Sequence, residues 1–225
     1  MHDALNAFLD VADAFLLGFP ALFSIVNPIS GAFIFREVTL HRPRDQARIA
    51  RLVALYSLAV MMVALWAGSY VLAFFGISLA ALRVAGGIVV ALNAWNLLNA
   101  PEFHEAQKHD QAAPARDAED IALFPLTIPF TTGPGTIAVA VALGSSRPEA
   151  TFDLVLFFIG MTAAAAALAG VIWIAYGSSD RISRLMGPRG SRTVTRISAF
   201  LLLCIGVQIL IIGVQNVLGP MLGQH

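Results

Sequence analysis

Six stretches of this 225-residue chain contain no Asp, Glu, Lys or Arg: residues 14–35, 52–75, 84–100, 121–143, 154–176 and 197–219. A helix of roughly 20 apolar residues spans the hydrocarbon core of a bilayer. In hydrocarbon every backbone amide must find its partner within the segment, so runs of this length predict membrane helices rather than core segments of a water-soluble fold. Composition agrees, with 58% hydrophobic and only 12% charged residues, about half the charge of a soluble domain. A soluble catalytic domain is excluded. The expected fold class is an all-α integral membrane protein of six transmembrane helices, forming one membrane domain over residues 1–225.

With 14 basic against 14 acidic residues and no basic stretch interleaved with aromatics, nothing is offered to a nucleic-acid backbone. The single cysteine, Cys204, excludes an intramolecular disulfide and a thiol relay. Met1 to Asp13 carries three acids and no base, so the basic opening of a cleaved secretory signal is missing and the first helix is expected to stay attached.

The basic residues fall on alternate loops. Arg36, Arg42, Arg44, Arg48 and Arg51 follow the first run, Lys108 and Arg116 the third, and Arg181, Arg184, Arg189, Arg192 and Arg196 the fifth, which places 12 of the 14 on one side. By the positive-inside rule that side is cytoplasmic and both termini are periplasmic. The chain also looks internally repeated. Arg83 opens the third run and Arg196 the sixth, while Asn27-Pro28-Ile29-Ser30-Gly31 and Thr132-Gly133-Pro134-Gly135-Thr136 interrupt the first and fourth. The proline-to-arginine intervals are 55 and 62 residues. Two three-helix repeats are expected, 14–100 and 121–219, joined by a cytoplasmic linker at 101–120. An odd number of crossings per half inverts the second relative to the first.

Proline removes a helical hydrogen bond and clashes with the preceding turn, so the first and fourth helices should be broken at Asn-Pro and Gly-Pro-Gly. Asn27 can cap a new half-helix whose first residue is Pro28; Thr132 or Gly133 can do the same for Pro134. The half-helices 28–35 and 134–143 then start near the midplane from opposite sides. Each start presents free amides and partial positive charge, which suits an anionic group such as a carboxylate. Interrupted segments in matching positions of inverted halves point to a transporter binding site. The candidate substrate-binding residues are therefore Asn27, Pro28, Ser30, Gly31, Thr132, Gly133, Pro134, Gly135 and Thr136. Ser24, Asn93, Gln208 and the paired Arg83 and Arg196 are candidates for a supporting shell or gate.

No Asp or Glu lies near the middle of a run, so no carboxylate proton relay is visible. Coupling to protons or to sodium is left open, as is a homo-oligomer; no cofactor is expected. Met161 to Gly170 in the fifth run is rich in small residues that let helices approach closely. Glu102, His104, Glu105, His109 and Asp110 fit no strong metal spacing. The chain carries no nucleophile elbow, phosphate loop or paired buried carboxylates, and is not expected to be an enzyme.

The opening Leu22-Phe-Ser-Ile-Val-Asn27-Pro28, the segment from Phe124 through Pro129 to Gly133-Pro134-Gly135, Arg83 with Gly86-Gly87, and Arg196 followed by Gly206-Val-Gln208 together resemble the MarC family. The resemblance runs from about Phe15 to Leu218. It implies a six-helix bacterial inner-membrane protein related to the LysE exporters, in a family that includes the archaeal small neutral amino acid transporter SnatA. The family usually reads Ile-Gly and then Pro-x-Phe after the Asn-Pro; here Ser30-Gly31 and Ala32-Phe-Ile-Phe35 stand instead.

The leading expectation is a secondary transporter or exporter of a small neutral solute, a small amino acid foremost, working by alternating access. An uncoupled channel for small neutral solutes, or a non-transporting membrane protein that handles a lipid carrier, are the alternatives. The partners expected are the small-molecule substrate and the lipid bilayer.

Overall fold

The computed structural model describes residues 2–99, 117–146, 148 and 151–222, and among them there is no β-strand. The first apolar run becomes two helices, α1 (His2–Val26) and α2 (Pro28–Thr39). After a tight turn come α3 (Gln46–Phe74) and α4 (Leu79–Asn99). The fourth run is reached through one helical turn, α5 (Ala118–Ile121), and divides into α6 (Ala122–Thr131), wound with wide π-type turns, and α7 (Pro134–Ser145). The chain ends with α8 (Thr151–Gly177) and α9 (Ser179–Leu222).

Four of these stretches are long and apolar enough to cross a membrane: Leu5–Thr39, Gln46–Phe74, Phe152–Gly177 and Ala199–Leu218. The third and fourth runs give shorter apolar helices, Ala80–Asn96 and Pro134–Ser145. Most of the expected linker, 101–116, lies outside the described residues, and with it the Glu102 to Asp110 cluster. Its last residues are helical, because α5 starts at Ala118.

Proline sets the irregularities. Asn27, the residue between α1 and α2, sits in the left-handed region at φ 48° and ψ 66°, which asparagine tolerates better than other side chains. The fourth run is more broken than its Gly-Pro-Gly alone predicts. Phe124 (φ −135°, ψ 123°) and Ile128 (φ −117°, ψ 117°) are extended inside α6. Each precedes a proline, Pro125 or Pro129, whose ring pushes its predecessor out of helical geometry. In α9 the kink falls at Gly187, at φ 60°, so Arg196 lies within the helix beyond that kink rather than opening one.

Packing relies on close backbone approach. The α1–α2 pair runs beside α8 in the same direction: Gly18 meets Met161 and Ala164, Gly160 meets Ala14 and the Val11 carbonyl, and Gly31 meets Tyr176. Helices α4 and α9 are antiparallel, with Gly87 against Gly206 and Leu210, Gly206 against Ala91, and Gly213 against Val84. Helix α7 lies between α3 and α4, Gly144 on the Leu65 backbone and Gly86 on Ala138. Small residues at such interfaces let dispersion contacts and backbone proximity replace a hydrophobic driving force that lipid does not supply. The core gathers Leu22, Val26, Phe35, Ile49, Met61, Leu65, Met161, Leu168 and Ile172, all buried. Phe8, Leu16, Val63, Trp66, Trp173 and Ile174 face outward, an apolar exterior far larger than a water-soluble monomer presents.

Candidate functional site between the two helix breaks

The two breaks meet in the interior. Ile25, two residues before Asn27, lies against Gly135 in the first turn of α7: a β-carbon built on that glycine would stand 3.3 Å from Ile25 Cδ1 and 3.1 Å from Val90 Cγ2 of α4. A second bridge runs through α8. The Tyr176 hydroxyl is 2.8 Å from Thr131 Oγ1, at the end of α6, and touches Gly31 in the first turn of α2. Its ring stacks on Phe35, with centroids 4.9 Å apart. Tyr176 is 2% exposed and Phe35 fully buried.

The hydrogen bonding of the two half-helix starts differs. At α2 the Asn27 carbonyl accepts from the Gly31 amide at 3.0 Å, and the Asn27 side chain accepts from the Ser30 amide at 3.3 Å. Pro28 has no N–H, so Ile29 is the one first-turn amide left over. At α7 the Gly133 carbonyl accepts from Ile137 at 3.1 Å, but Gly133 has no side chain to cap with. The amides of Gly135 and Thr136, both buried residues, are left over.

The acceptors differ in the opposite sense. Along α6, Thr127 Oγ1 donates to the Ala122 carbonyl at 2.7 Å, Thr131 Oγ1 to Leu126 at 2.7 Å, and Thr132 Oγ1 to Thr127 at 3.1 Å. Each of these threonines bonds back across one wide turn, and the Thr127 carbonyl also accepts from the Thr132 amide at 2.8 Å. At the end of α1, Pro28 supplies no N–H to the Ser24 carbonyl, and the Ser30 hydroxyl, in a residue only 9% exposed, has no hydrogen-bond partner. Both breaks therefore leave donors over, the Ile29 amide at one and the Gly135 and Thr136 amides at the other, and the first also holds the unpartnered Ser30 hydroxyl.

Of the residues picked from the sequence, Asn27, Pro28, Ser30 and Gly31 come together at one break and Thr132, Gly133, Gly135 and Thr136 at the other; Pro134 starts α7 with its ring exposed. Ser24, half-buried, belongs to the last turn of α1. Arg83, Arg196 and Gln208 do not join them. Arg83 Nη2 donates to Ser146 Oγ at 3.0 Å, tying the start of α4 to the far end of α7. Arg196 and Gln208 are exposed on α9. The reason is helical spacing: Ala199, Gly206 and Gly213 recur every seven residues on the buried face of α9, and Gln208 lies about 200° around the helix from Gly206. The side chain of Asn93, on α4, is outside the described residues.

Sequence reasoning missed Tyr176 and Phe35. The available signal was one hydroxyl-bearing aromatic closing an alanine-rich run, at Ala175-Tyr176-Gly177. At the α2 end of the bundle, Arg36 Nε pairs with Asp180 at 2.9 Å and Arg48 with Glu119 at 2.7 Å. Among the described residues no cluster of His, Cys, Asp or Glu is arranged to hold a metal.

The profile described as MarC family integral membrane protein matches residues 12–218. The chain is 32% identical over 216 residues to the inner membrane protein MarC of Escherichia coli strain K12, an overlap of 93% of this chain and 98% of that protein. The MarC protein of Shigella flexneri is similar to the same extent. No solved structure matches.

Proposed function

The chain belongs to the MarC family of integral membrane proteins, multi-pass in the inner membrane, and from that premise we propose that it is a secondary transporter or exporter of a small neutral solute. A small amino acid is the substrate class that suits it best. The observation that carries the reading is the meeting of two interrupted helices in the protein interior, each restarting at a proline, with backbone groups left over for a ligand.

The six crossings of this reading are α1–α2, α3, α4, α6–α7, α8 and α9, in two inverted halves with both termini periplasmic. The pairing of helices supports it. The first crossing packs on the fifth and the fourth on the second, while the third packs on the sixth and the second on the fifth. Exchanging first with fourth, second with fifth and third with sixth leaves that pattern unchanged, as an inverted repeat requires. Alternating access then rocks one half against the other around the fixed site.

The test is purified full-length protein in sealed proteoliposomes given radiolabelled glycine and alanine, with and without proton and sodium gradients. Saturable accumulation under one gradient is the expected result and identifies the coupling ion. Flux that never saturates and cannot concentrate substrate overturns it in favour of a channel, and no flux removes small amino acids as substrates.

A further inference from the structure

Polar side chains at the α2 end of the bundle tie one half of the chain to the other. Arg36 of α2 reaches Asp180 of α9 at 2.9 Å, and Arg48 of α3 reaches Glu119 of α5, the turn that leads into the second half, at 2.7 Å. One helical turn beyond Arg36, Gln46 of α3 donates to Thr39 Oγ1 of α2 at 3.4 Å and to Ser179 Oγ of α9 at 3.3 Å. Thr39 and Ser179 are both buried. Nearer the break, Phe35 stacks on Tyr176, again joining first half to second. The opposite end is built differently. Arg83 does reach Ser146 there, but Asp10 and Asp13 of α1 and Asp153 of α8 line a cavity of about 320 Å³, and like charges disfavour close approach. The side chains of the two ion pairs at the α2 end are a third to nearly two-thirds exposed. Pairs so open to solvent are weak and screened by salt: enough to bias two states, too little to lock one.

We infer that the α2 end is a latched gate, and that the structure is the state closed there, on the cytoplasmic side in the reading above. Arg36–Asp180, Arg48–Glu119 and Gln46–Ser179 part when the halves rock open at that end and re-form when they close. The buried Phe35 and Tyr176 form a second layer behind the latch, on the side of the helix breaks. This rests on the transporter reading and adds which residues set the balance between its two faces.

The test puts spin labels on two exposed residues beside the latch, Leu40→Cys just after α2 and Leu185→Cys on α9, in a Cys204→Ser background. Pulsed electron spin resonance then reads the distance between them in the full-length protein in lipid nanodiscs. Arg36→Gln, Gln46→Ala and Arg48→Gln combined are expected to raise the ratio of long to short distances about 10-fold, each lost contact supplying roughly two- to threefold. Arg36→Asp alone is expected to lengthen the distance, and Asp180→Arg added to it to restore the short one, a rescue that a merely structural arginine does not give. The same distances in every variant overturn the latch. Should the combined variant fail to fold, the labelled protein with its latch intact decides: salt raised to roughly 1 M, where the screening length is about 3 Å, is expected to lengthen the distance, and no change overturns the proposal. Unchanged distances in variants that still accumulate solute overturn the latch alone. Absence of solute flux in the wild type overturns the transporter reading instead, a separate result because the distances are read without solute.

Discussion

Tyr176 and Thr131 share a hydrogen bond of 2.8 Å across 45 residues of chain, and through it α8 holds the end of α6 while its ring rests on α2. Thr131 also donates to the Leu126 carbonyl, so the tyrosine is the group that depends on the pair. Tyr176→Phe removes the bond and keeps the stack on Phe35, and should cost about 1 kcal/mol. Tyr176→Ala also empties the space, at roughly 3–5 kcal/mol. Unfolding followed by tryptophan fluorescence in detergent separates the two; equal losses would mean that the ring makes no packing contribution.

Gly31 accepts no side chain while that hydroxyl is present, because a β-carbon there meets the Tyr176 oxygen. Gly31→Ala should destabilise by about 1–3 kcal/mol. In the Tyr176→Phe background the loss should shrink, giving a coupling of about 0.5–3 kcal/mol in a double-mutant cycle. Strictly additive losses would place the steric conflict elsewhere.

Asn27 has two duties, a left-handed backbone and a cap on Ser30. Asn27→Gly keeps the first and loses the second, at a few tenths of a kcal/mol. Asn27→Ala loses both, adding about 1–2 kcal/mol for the backbone. The order of thermal stability should be Asn, Gly, Ala; alanine equal to glycine would show that the left-handed geometry is not retained.

Two glycines give opposite expectations. Gly144 faces the Leu65 carbonyl, a backbone atom that cannot rotate away, whereas Gly170 has nothing within 4 Å of its β-position. Gly144→Ala should abolish monodisperse protein in size-exclusion chromatography. Gly170→Ala should be neutral or stabilise by up to about 1 kcal/mol, from helix propensity alone.

The breaks were legible because their causes are local: Pro28 and Pro134 remove N–H groups whatever surrounds them, and Asn27 is suited to the turn that follows α1. The additional extended residues Phe124 and Ile128 also have local causes, in Pro125 and Pro129. Tyr176 was not legible, since its importance comes from a partner 45 residues away and a glycine 145 residues away. The arginines misled for a related reason. Arg83 and Arg196 each stand just before an apolar run, yet their side chains follow their own surroundings, Ser146 for one and an exposed face of α9 for the other.

The equal lengths of α2 and α7, 12 residues each, bear on the energetics of the proposed cycle. At 1.5 Å per residue each is roughly 18 Å long, so the point where they begin lies about halfway through a hydrocarbon core of roughly 30 Å. An ion reaching that point from either face crosses about half the membrane potential, worth on the order of 1 kcal/mol per elementary charge at 100 mV. A zwitterion, with no net charge, crosses it at no electrical cost. In the proposed cycle a voltage dependence of solute movement would therefore report a coupled ion, divided about evenly between its entry from one side and its exit to the other.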